Sequence, residues 1–141
     1  MIKSYKIYIN EDIVFENTPF NLKNDLKEYG INCNEKFKQL IVQEIAAKLK
    51  AGFNSKDCID LFTKKINGEI HIVLAKIKFK TTNSCNNNEF RCISVVDVLK
   101  EICIVLHIYA KNKKTDISKY EKKMAKLVLE EYFNELEKER K

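Results

Sequence analysis

The stretch DLFTKKINGEIHIVLAKIKFK, residues 60–80, decides the fold. Asn67 and Gly68 lie in it between two runs of strand-forming residues. An Asn-Gly pair is a strong hairpin signal, because both residues tolerate the positive φ that a type I′ turn requires. We therefore predict a β-hairpin in which one strand enters the turn at about Leu61 and a long strand leaves it at Glu69.

The outgoing strand changes character along its length. Its odd positions from Val73 to Phe79 are all apolar, so one face of the strand is predicted to be core throughout. Its even positions are apolar at first and then become Lys76, Lys78 and Lys80. The second face is therefore predicted to be covered at one end and basic at the other. A lysine row can serve only solubility or edge protection, and this interpretation stays open beside a binding role.

Three further segments alternate as strands do. YKIYI (residues 5–9) stands near the start, while FRCISVVDV (90–98) and ICIVLHIYAK (102–111) follow a polar loop rich in asparagine. In the last segment two faces are predicted. One carries Ile104, Leu106 and Ile108, and the other carries Val105, His107, Tyr109 and Lys111. A one-residue slip in register would reverse these faces.

Three segments carry helical signals. NLKNDLKEYG indicates a short helix ending at Gly30, and NEKFKQLIVQEIAAKLKAG a longer one with Asn34 as N-cap and Gly52 as its stop. The apolar stripe of the longer helix, which we expect to pack on the sheet, is Phe37, Leu40, Ile41, Ile45 and Leu49. A terminal helix opens with Ser118 and Glu121 at capping-box spacing.

These elements predict an α+β fold. Two N-terminal helices precede an antiparallel sheet of about four strands and a C-terminal helix follows, with the helices packed on one face of the sheet. The open part of the other face would carry the lysine row. The chain has 141 residues and is 45% hydrophobic, which is enough for one compact core, so a single domain is expected.

Composition also bounds the setting and the chemistry. No apolar run reaches the length of a membrane span, and the start MIKSYKIYIN lacks the apolar core of a signal peptide. We therefore expect a cytoplasmic protein with no membrane partner. The five cysteines form no CxxC pair, which argues against a disulfide framework and against a zinc site. No metal and no cofactor is predicted.

The net charge of +6 is concentrated in one part of the chain. Residues 76–114 hold eight basic side chains and three acidic ones, whereas the helical segments on either side carry mixed signs that roughly cancel. A localised basic field favours a polyanion, with nucleic acid ahead of an acidic protein or an anionic lipid.

The order of motifs adds a family resemblance. LAKIKFK, a polar loop, FRCISVV, IVLHIYAKNKKTDIS and a charged helix together resemble the RelE-like toxins of bacterial toxin–antitoxin pairs, and YAKN is close to the HigB-like branch. The resemblance covers about residues 35–135, which leaves residues 1–20 as an N-terminal extension of a RelE-like domain. It implies a microbial-ribonuclease type of fold that cleaves messenger RNA, typically at the ribosome, and is neutralised by an antitoxin protein.

Two other function classes stay open. Resemblance to the gyrase-inhibiting ParE-like branch implies a non-catalytic toxin that acts on a protein target. The charge pattern alone is also compatible with a basic RNA-binding domain that has no activity.

Metal-free RNA cleavage needs a base for the 2′-hydroxyl proton, cations for the transition state and an acid for the leaving 5′-oxygen. The resemblance assigns Lys76 or Lys78 as base or charge stabiliser, Arg91 as phosphate clamp and Lys111 as electrostatic support. His107 is an alternative proton shuttle, although a histidine on a strand is more often a hydrogen-bonded structural residue than a catalyst. Arg91 could instead be an ion-pair partner of Glu89 or Asp97.

A second set of residues is predicted to contact RNA without acting in the chemistry. Its members are Lys80, Tyr109, Asn112, Lys113 and Lys114. Tyr109 could stack on a base or simply pack in the core. Asn112 stands where several RelE-like toxins have a second arginine, and an amide cannot stabilise developing charge as a cation does.

Overall fold

A computed structural model of the protein describes residues 4–9, 18–29, 35–82, 87–111, 114 and 116–139. In these ranges the chain forms three helices and one six-stranded sheet. The helices are α1 (Leu22–Glu28), α2 (Glu35–Lys50) and α3 (Lys119–Glu139). The strands are β1 (Lys6–Tyr8), β2 (Asn54–Ser55), β3 (Cys58–Ile66), β4 (Glu69–Thr82), β5 (Asn87–Asp97) and β6 (Ile102–Ala110). Their order in the sheet is β1-β6-β5-β4-β3-β2.

The sheet corrects the predicted fold class. The fold is α+β, but an antiparallel sheet of about four strands behind two N-terminal helices is wrong. β1 precedes both of these helices and pairs in parallel with β6, which is the last strand of the chain. Local alternation cannot reveal such a long-range partner. β2 is two residues long, too short to show any period.

The central hairpin is confirmed. Asn67 has φ 52° and Gly68 has φ 83°, so both central residues of the turn lie in the left-handed region. Ile66 and Glu69 flank the turn as the last pair of the β3–β4 ladder. The turn therefore sets the register of the first pairs, and two irregularities in β3, between Lys64 and Lys65 and between Asp60 and Phe62, shift it further along the ladder.

Helices cover both faces of the sheet, so the prediction of helices on one face is wrong. α1 and α2 pack on the face that holds Val73, Ile77 and Phe79. α3 packs on the opposite face, against Ile72 and Leu74 of β4. The reason is visible in β4 itself, because its second face is apolar before it becomes basic. This face is covered by α3 at the apolar end and carries the lysines at the other end, as predicted.

The two predicted faces of the last strand are wrong. The ladder between β5 and β6 shifts register at a β-bulge, because Ile93 pairs with His107 but the next residue, Ser94, pairs with Val105. As a result Ile108 packs in the core under α1 and α2, whereas Leu106 packs in the core under α3. A bulge inserts one extra residue and so breaks the period of two on which the prediction rested.

α1 closes the edge of β6 beyond the short strand β1. The Ile108 N–H donates to Asp25 Oδ2 at 3.2 Å, and the Ala110 N–H donates to the Tyr29 hydroxyl oxygen at 3.1 Å. Both strand N–H groups would otherwise lack a partner on that side, which would leave an open sheet edge. Asp25 of α1 and Tyr29, the residue that follows α1, therefore accept the hydrogen bonds that a neighbouring strand would otherwise accept.

The predicted helix features are mostly confirmed in the residues that the structure describes. Gly52 has φ 86° just after the end of α2, as expected of a helix stop. The stripe of α2 is buried except for Leu40, which is 41% exposed. At the start of α3 the Glu121 N–H donates to Ser118 Oγ at 3.0 Å, and the Ser118 N–H donates to Glu121 Oε1 at 2.9 Å, so the capping box is confirmed. The predicted Gly30 stop and Asn34 cap lie outside the described residues. Among the helices described, none has the length and apolarity to cross a membrane.

Candidate nucleic-acid interface

The predicted basic residues lie in rows across three neighbouring strands. Lys78 on β4 is directly opposite Arg91 on β5, and Arg91 is directly opposite Tyr109 on β6. One row further along, Lys80 is opposite Glu89. Residues directly opposite in a ladder project from the same face. The polar side chains in this part of the sheet therefore lie on the face that α3 covers elsewhere, beyond the N-terminal end of α3.

These side chains open into a cleft of about 530 Å³. Its basic lining residues are Lys48, Lys56, Lys78, Lys80, Arg91 and Lys111, and its acidic ones are Glu44, Asp57 and Glu89. The cleft forms where β4 outruns its neighbour, since β3 begins opposite Ile77. In the part of the chain that the structure describes, no strand pairs with β4 beyond this point on that side. A concave, net-positive surface of this kind concentrates anions.

Arg91 is the most deeply placed cation of the cleft. The residue is only 7% exposed, and its Nη2 lies 3.5 Å from Glu89 Oε1. Its Nη1 is buried and has no hydrogen-bond partner among the described residues. A buried donor without a partner costs free energy, and because Nη1 is closed to solvent, an anion in the cleft would meet the guanidinium on the side of Nη2.

Glu89 is a cleft residue that the sequence analysis did not single out for the site. Its two carboxylate oxygens face two different cations, Arg91 Nη2 at 3.5 Å and Lys111 Nζ at 3.9 Å. The Lys111 N–H also donates to the Glu89 carbonyl oxygen at 2.9 Å. The structure therefore contains the ion pair between Arg91 and Glu89, which was one of the interpretations of Arg91. The sequence carries a signal for this ion pair, since residues two apart on a strand project from the same face.

Lys76 does not line the cleft. Its ammonium lies 3.4 Å from Asp116 Oδ1, in the segment that leads into α3, and its side chain is 14% exposed. Partial burial alone raises the pKa of Asp116, but the Ile117 N–H and the Lys76 charge outweigh it and hold this pKa below its ordinary value. Lys76 thus joins the sheet to the start of α3.

His107 is surrounded by charged partners. Its Nδ1 lies 2.8 Å from Asp25 Oδ2, and its Nε2 lies 3.6 Å from Glu121 Oε2 and 3.5 Å from Lys114 Nζ. Both ring nitrogens are engaged, and the side chain is 13% exposed. This is the geometry of a structural histidine, whose contacts with Asp25 and Glu121 connect β6 to α1 and α3.

Lys114 and Glu121 complete this cluster. Lys114 Nζ lies 2.5 Å from Glu121 Oε2. Burial alone raises the pKa of Glu121, but the hydrogen bonds from Lys114 and from the Ser118 N–H, with the Lys114 charge, keep this pKa below its ordinary value. Lys114 is therefore occupied by an ion pair rather than turned into the cleft.

Tyr109 is 2% exposed, and its ring packs between its neighbours. The His107 ring is stacked on it at 5.3 Å between centroids, and Lys114 Nζ lies 5.4 Å from its centre. Its hydroxyl is buried without a hydrogen-bond partner among the described residues, and burial raises its pKa. Tyr109 therefore packs in the core, because no face of its ring is open for stacking on a base. Asn112 and Lys113, the remaining predicted RNA contacts, lie outside the described residues.

A second groove, of about 510 Å³, lies at the opposite end of the sheet. Its floor is largely apolar, with Ile66, Ile70 and Leu136, and its rim holds an ion pair between Lys100 and Glu139 at 3.4 Å. Lys100 is the one cation among the described residues that line it. A polyanion therefore fits the basic cleft and not this groove.

The described residues contain no group of histidine, cysteine and acidic side chains that could hold a metal ion. Cys58, Cys92 and Cys103 are buried free thiols. Burial raises the pKa of Cys58 to about 11 and that of Cys92 to about 12, so both remain protonated and unreactive near neutral pH.

The fold and the cleft together define a small α+β protein with a cationic site at one end of its sheet. Comparison of the chain with protein-family models, with curated proteins and with solved structures gives no match in any of the three.

Proposed function

We propose that this protein binds single-stranded RNA in the basic cleft and cleaves it without a metal ion, as a RelE-like toxin. The observation that carries the proposal is the convergence of Lys78, Lys80, Arg91 and Lys111 on one cleft. A phosphodiester offers the oxygen acceptors that guanidinium and ammonium groups bind. Lys80 and Lys111, which are exposed at the same cleft, would attract the flanking phosphates.

The cleavage step would proceed by attack of the RNA 2′-oxygen on the adjacent phosphorus. A base takes the 2′-hydroxyl proton, the bond from phosphorus to the 5′-oxygen breaks, and that oxygen receives a proton. The products are a 2′,3′-cyclic phosphate and a free 5′-hydroxyl. Arg91 and Lys111 would stabilise the charge that develops on phosphorus, and Lys78 would serve as base or as a further charge stabiliser.

One observation favours a second candidate, an RNA-binding domain without activity. His107 has both ring nitrogens engaged, and Lys76 is paired with Asp116, so neither is directed at a phosphate in the cleft. If these contacts persist when RNA is bound, the cleft holds the chain but lacks a proton shuttle.

The sequence resemblance supports the biological setting of the proposal. A RelE-like toxin would act in the cytoplasm on messenger RNA, typically at the ribosome, and a cognate antitoxin protein would neutralise it. The ParE-like alternative, with a protein target such as gyrase, makes a different forecast for RNA. It requires growth arrest with messenger RNA left intact.

The decisive experiment is a cleavage assay with a 5′-labelled, single-stranded RNA, on its own in the presence of EDTA and, without EDTA, in a translation extract. We expect fragments that end in a 2′,3′-cyclic phosphate, and loss of each cut when the nucleotide at that site is 2′-deoxy. Intact RNA in both settings, with growth arrest in cells, would overturn the nuclease proposal. RNA that binds but stays intact would favour the second candidate.

Variants locate the site. Replacing Lys78, Lys80 and Lys111 by alanine should strongly weaken RNA binding and cleavage while the circular dichroism spectrum stays unchanged. The matched control replaces Lys23, Lys50 and Lys123, three exposed helix lysines that do not line the cleft. If the control loses as much activity as the cleft variant, the RNA binds elsewhere.

A further inference from the structure

We infer that Glu89 is an internal stand-in for a phosphate and that it makes the cleft select oligonucleotide chains over single phosphate groups. This inference rests on the proposed RNA-binding function and deepens it, because it names the class of ligand that the site admits.

The geometry is that of an anion held between two cations. Glu89 Oε1 faces Arg91 Nη2 at 3.5 Å, and Oε2 faces Lys111 Nζ at 3.9 Å. Lys80 is directly opposite Glu89 in the β4–β5 ladder, so a third cation flanks the carboxylate. A phosphate that entered between Arg91 and Lys111 would place its oxygens where the carboxylate oxygens now lie.

The contact is loose enough to be exchanged. Both distances exceed the 2.7–2.9 Å that is usual for a charge-assisted hydrogen bond. The Glu89 side chain is 30% exposed, and that of Lys111 is 54% exposed, so both can move without disturbing the core. Arg91 is held in place by burial, and its Nη2 would remain in position to contact an incoming anion.

Competition with a tethered carboxylate lowers the affinity of the cleft for every phosphate ligand by a similar factor, and a single phosphate has few other contacts to make up this loss. Because Glu89 is covalently part of the cleft, its effective concentration there is high, on the order of millimolar or more. A single phosphate gains only the contacts that it takes from Glu89. A chain of phosphates also gains contacts to Lys78, Lys80 and Lys56 along the same cleft, and these contacts offset the loss of the internal ion pairs.

The test compares three ligands on the full chain: inorganic phosphate, adenosine 5′-monophosphate and a fluorescein-labelled decauridylate. Glu89→Gln removes the charge and keeps the shape. We expect it to raise the affinities for inorganic phosphate, the monophosphate and the decauridylate by a similar factor of about tenfold, with the decauridylate bound far more tightly than either single phosphate by both proteins. Glu44→Gln is the matched control, because Glu44 lines the same cleft but forms no ion pair with Arg91 or Lys111 in the described structure.

The outcomes separate the inference from the function on which it rests. If Glu89→Gln leaves the affinity for the monophosphate unchanged, or if Glu44→Gln has an equal effect, Glu89 is not a specific competitor and the inference fails while RNA binding stands. If neither the wild type nor Glu89→Gln binds the decauridylate, the proposed function fails. Adding Lys111→Gln to Glu89→Gln should cancel the gain for the monophosphate, and a gain that persists would contradict the stand-in geometry.

Discussion

RNA binding by the cleft should depend steeply on salt, and the structure sets the size of this effect. Four cations stand on the floor of the cleft at the end of the sheet, namely Lys78, Lys80, Arg91 and Lys111. For a single strand the slope of log K against log salt is about −0.7 per phosphate neutralised, so four contacts give about −2.8. Between 50 and 200 mM salt this slope predicts an affinity loss of about 50-fold.

Of these four cations on the floor of the cleft, the triple replacement of Lys78, Lys80 and Lys111 by alanine leaves only Arg91. The slope should then fall to about −0.7, and the affinity loss over the same salt range to about threefold. Fluorescence anisotropy with labelled decauridylate at five salt concentrations measures both slopes. The control variant at Lys23, Lys50 and Lys123 carries the same change in net charge and should keep the steep slope.

A triple variant with the slope of the wild type would refute the reasoning, because the phosphates would then be neutralised outside the cleft. A control variant whose slope falls as far as that of the triple variant would refute it too. In that case the net charge of the protein, and not the cleft, would govern binding.

Three further predictions concern stability. Asp25→Ala should lower the free energy of unfolding in urea by about 1–3 kcal/mol, because it leaves the Ile108 N–H at the edge of β6 without its acceptor; Asp25→Asn, which keeps an acceptor oxygen, should lose less, and equal losses would contradict this role. Because the pKa of folded Glu121 lies below its ordinary 4.5, its ionised form stabilises the fold above that pH, and this stability is lost as pH falls through the lower folded value. Glu121→Gln should therefore flatten the fall in stability between about pH 6 and pH 3 measured by thermal unfolding, and an unchanged fall would count against the cluster. Gly68→Ala should cost about 1 kcal/mol or more in urea unfolding, since φ is 83° there, and a neutral effect would mean that the turn tolerates strain.

Elements with a strong local signal could be predicted from the sequence. The hairpin follows from Asn67 and Gly68, the start of α3 from Ser118 and Glu121, and the basic end of the second face from the alternation in β4. In each case the residues that carry the signal also make the contact, within a few positions along the chain.

What could not be predicted depends on long-range partners. The parallel pairing of β1 with β6 joins residues that are almost a hundred positions apart, and the β6 bulge is set by its ladder with β5. The same limit applies to the site. Lys78, Lys80, Arg91 and Lys111 converge on the cleft, but the partners of His107 and Lys76 are Asp25 on α1 and Asp116 before α3. Nothing in the local pattern of either residue names these partners.

The position of α3 explains why one row of lysines ends in two different environments. The apolar part of the second face, with Ile72 and Leu74, binds the buried stripe of α3. Next to this part of the face, Asp116, which lies just before α3, pairs with Lys76. Lys78 and Lys80 lie beyond this ion pair and open into the cleft. The point at which the second face of β4 turns from apolar to basic therefore fixes both the seat of α3 and the boundary of the anion site.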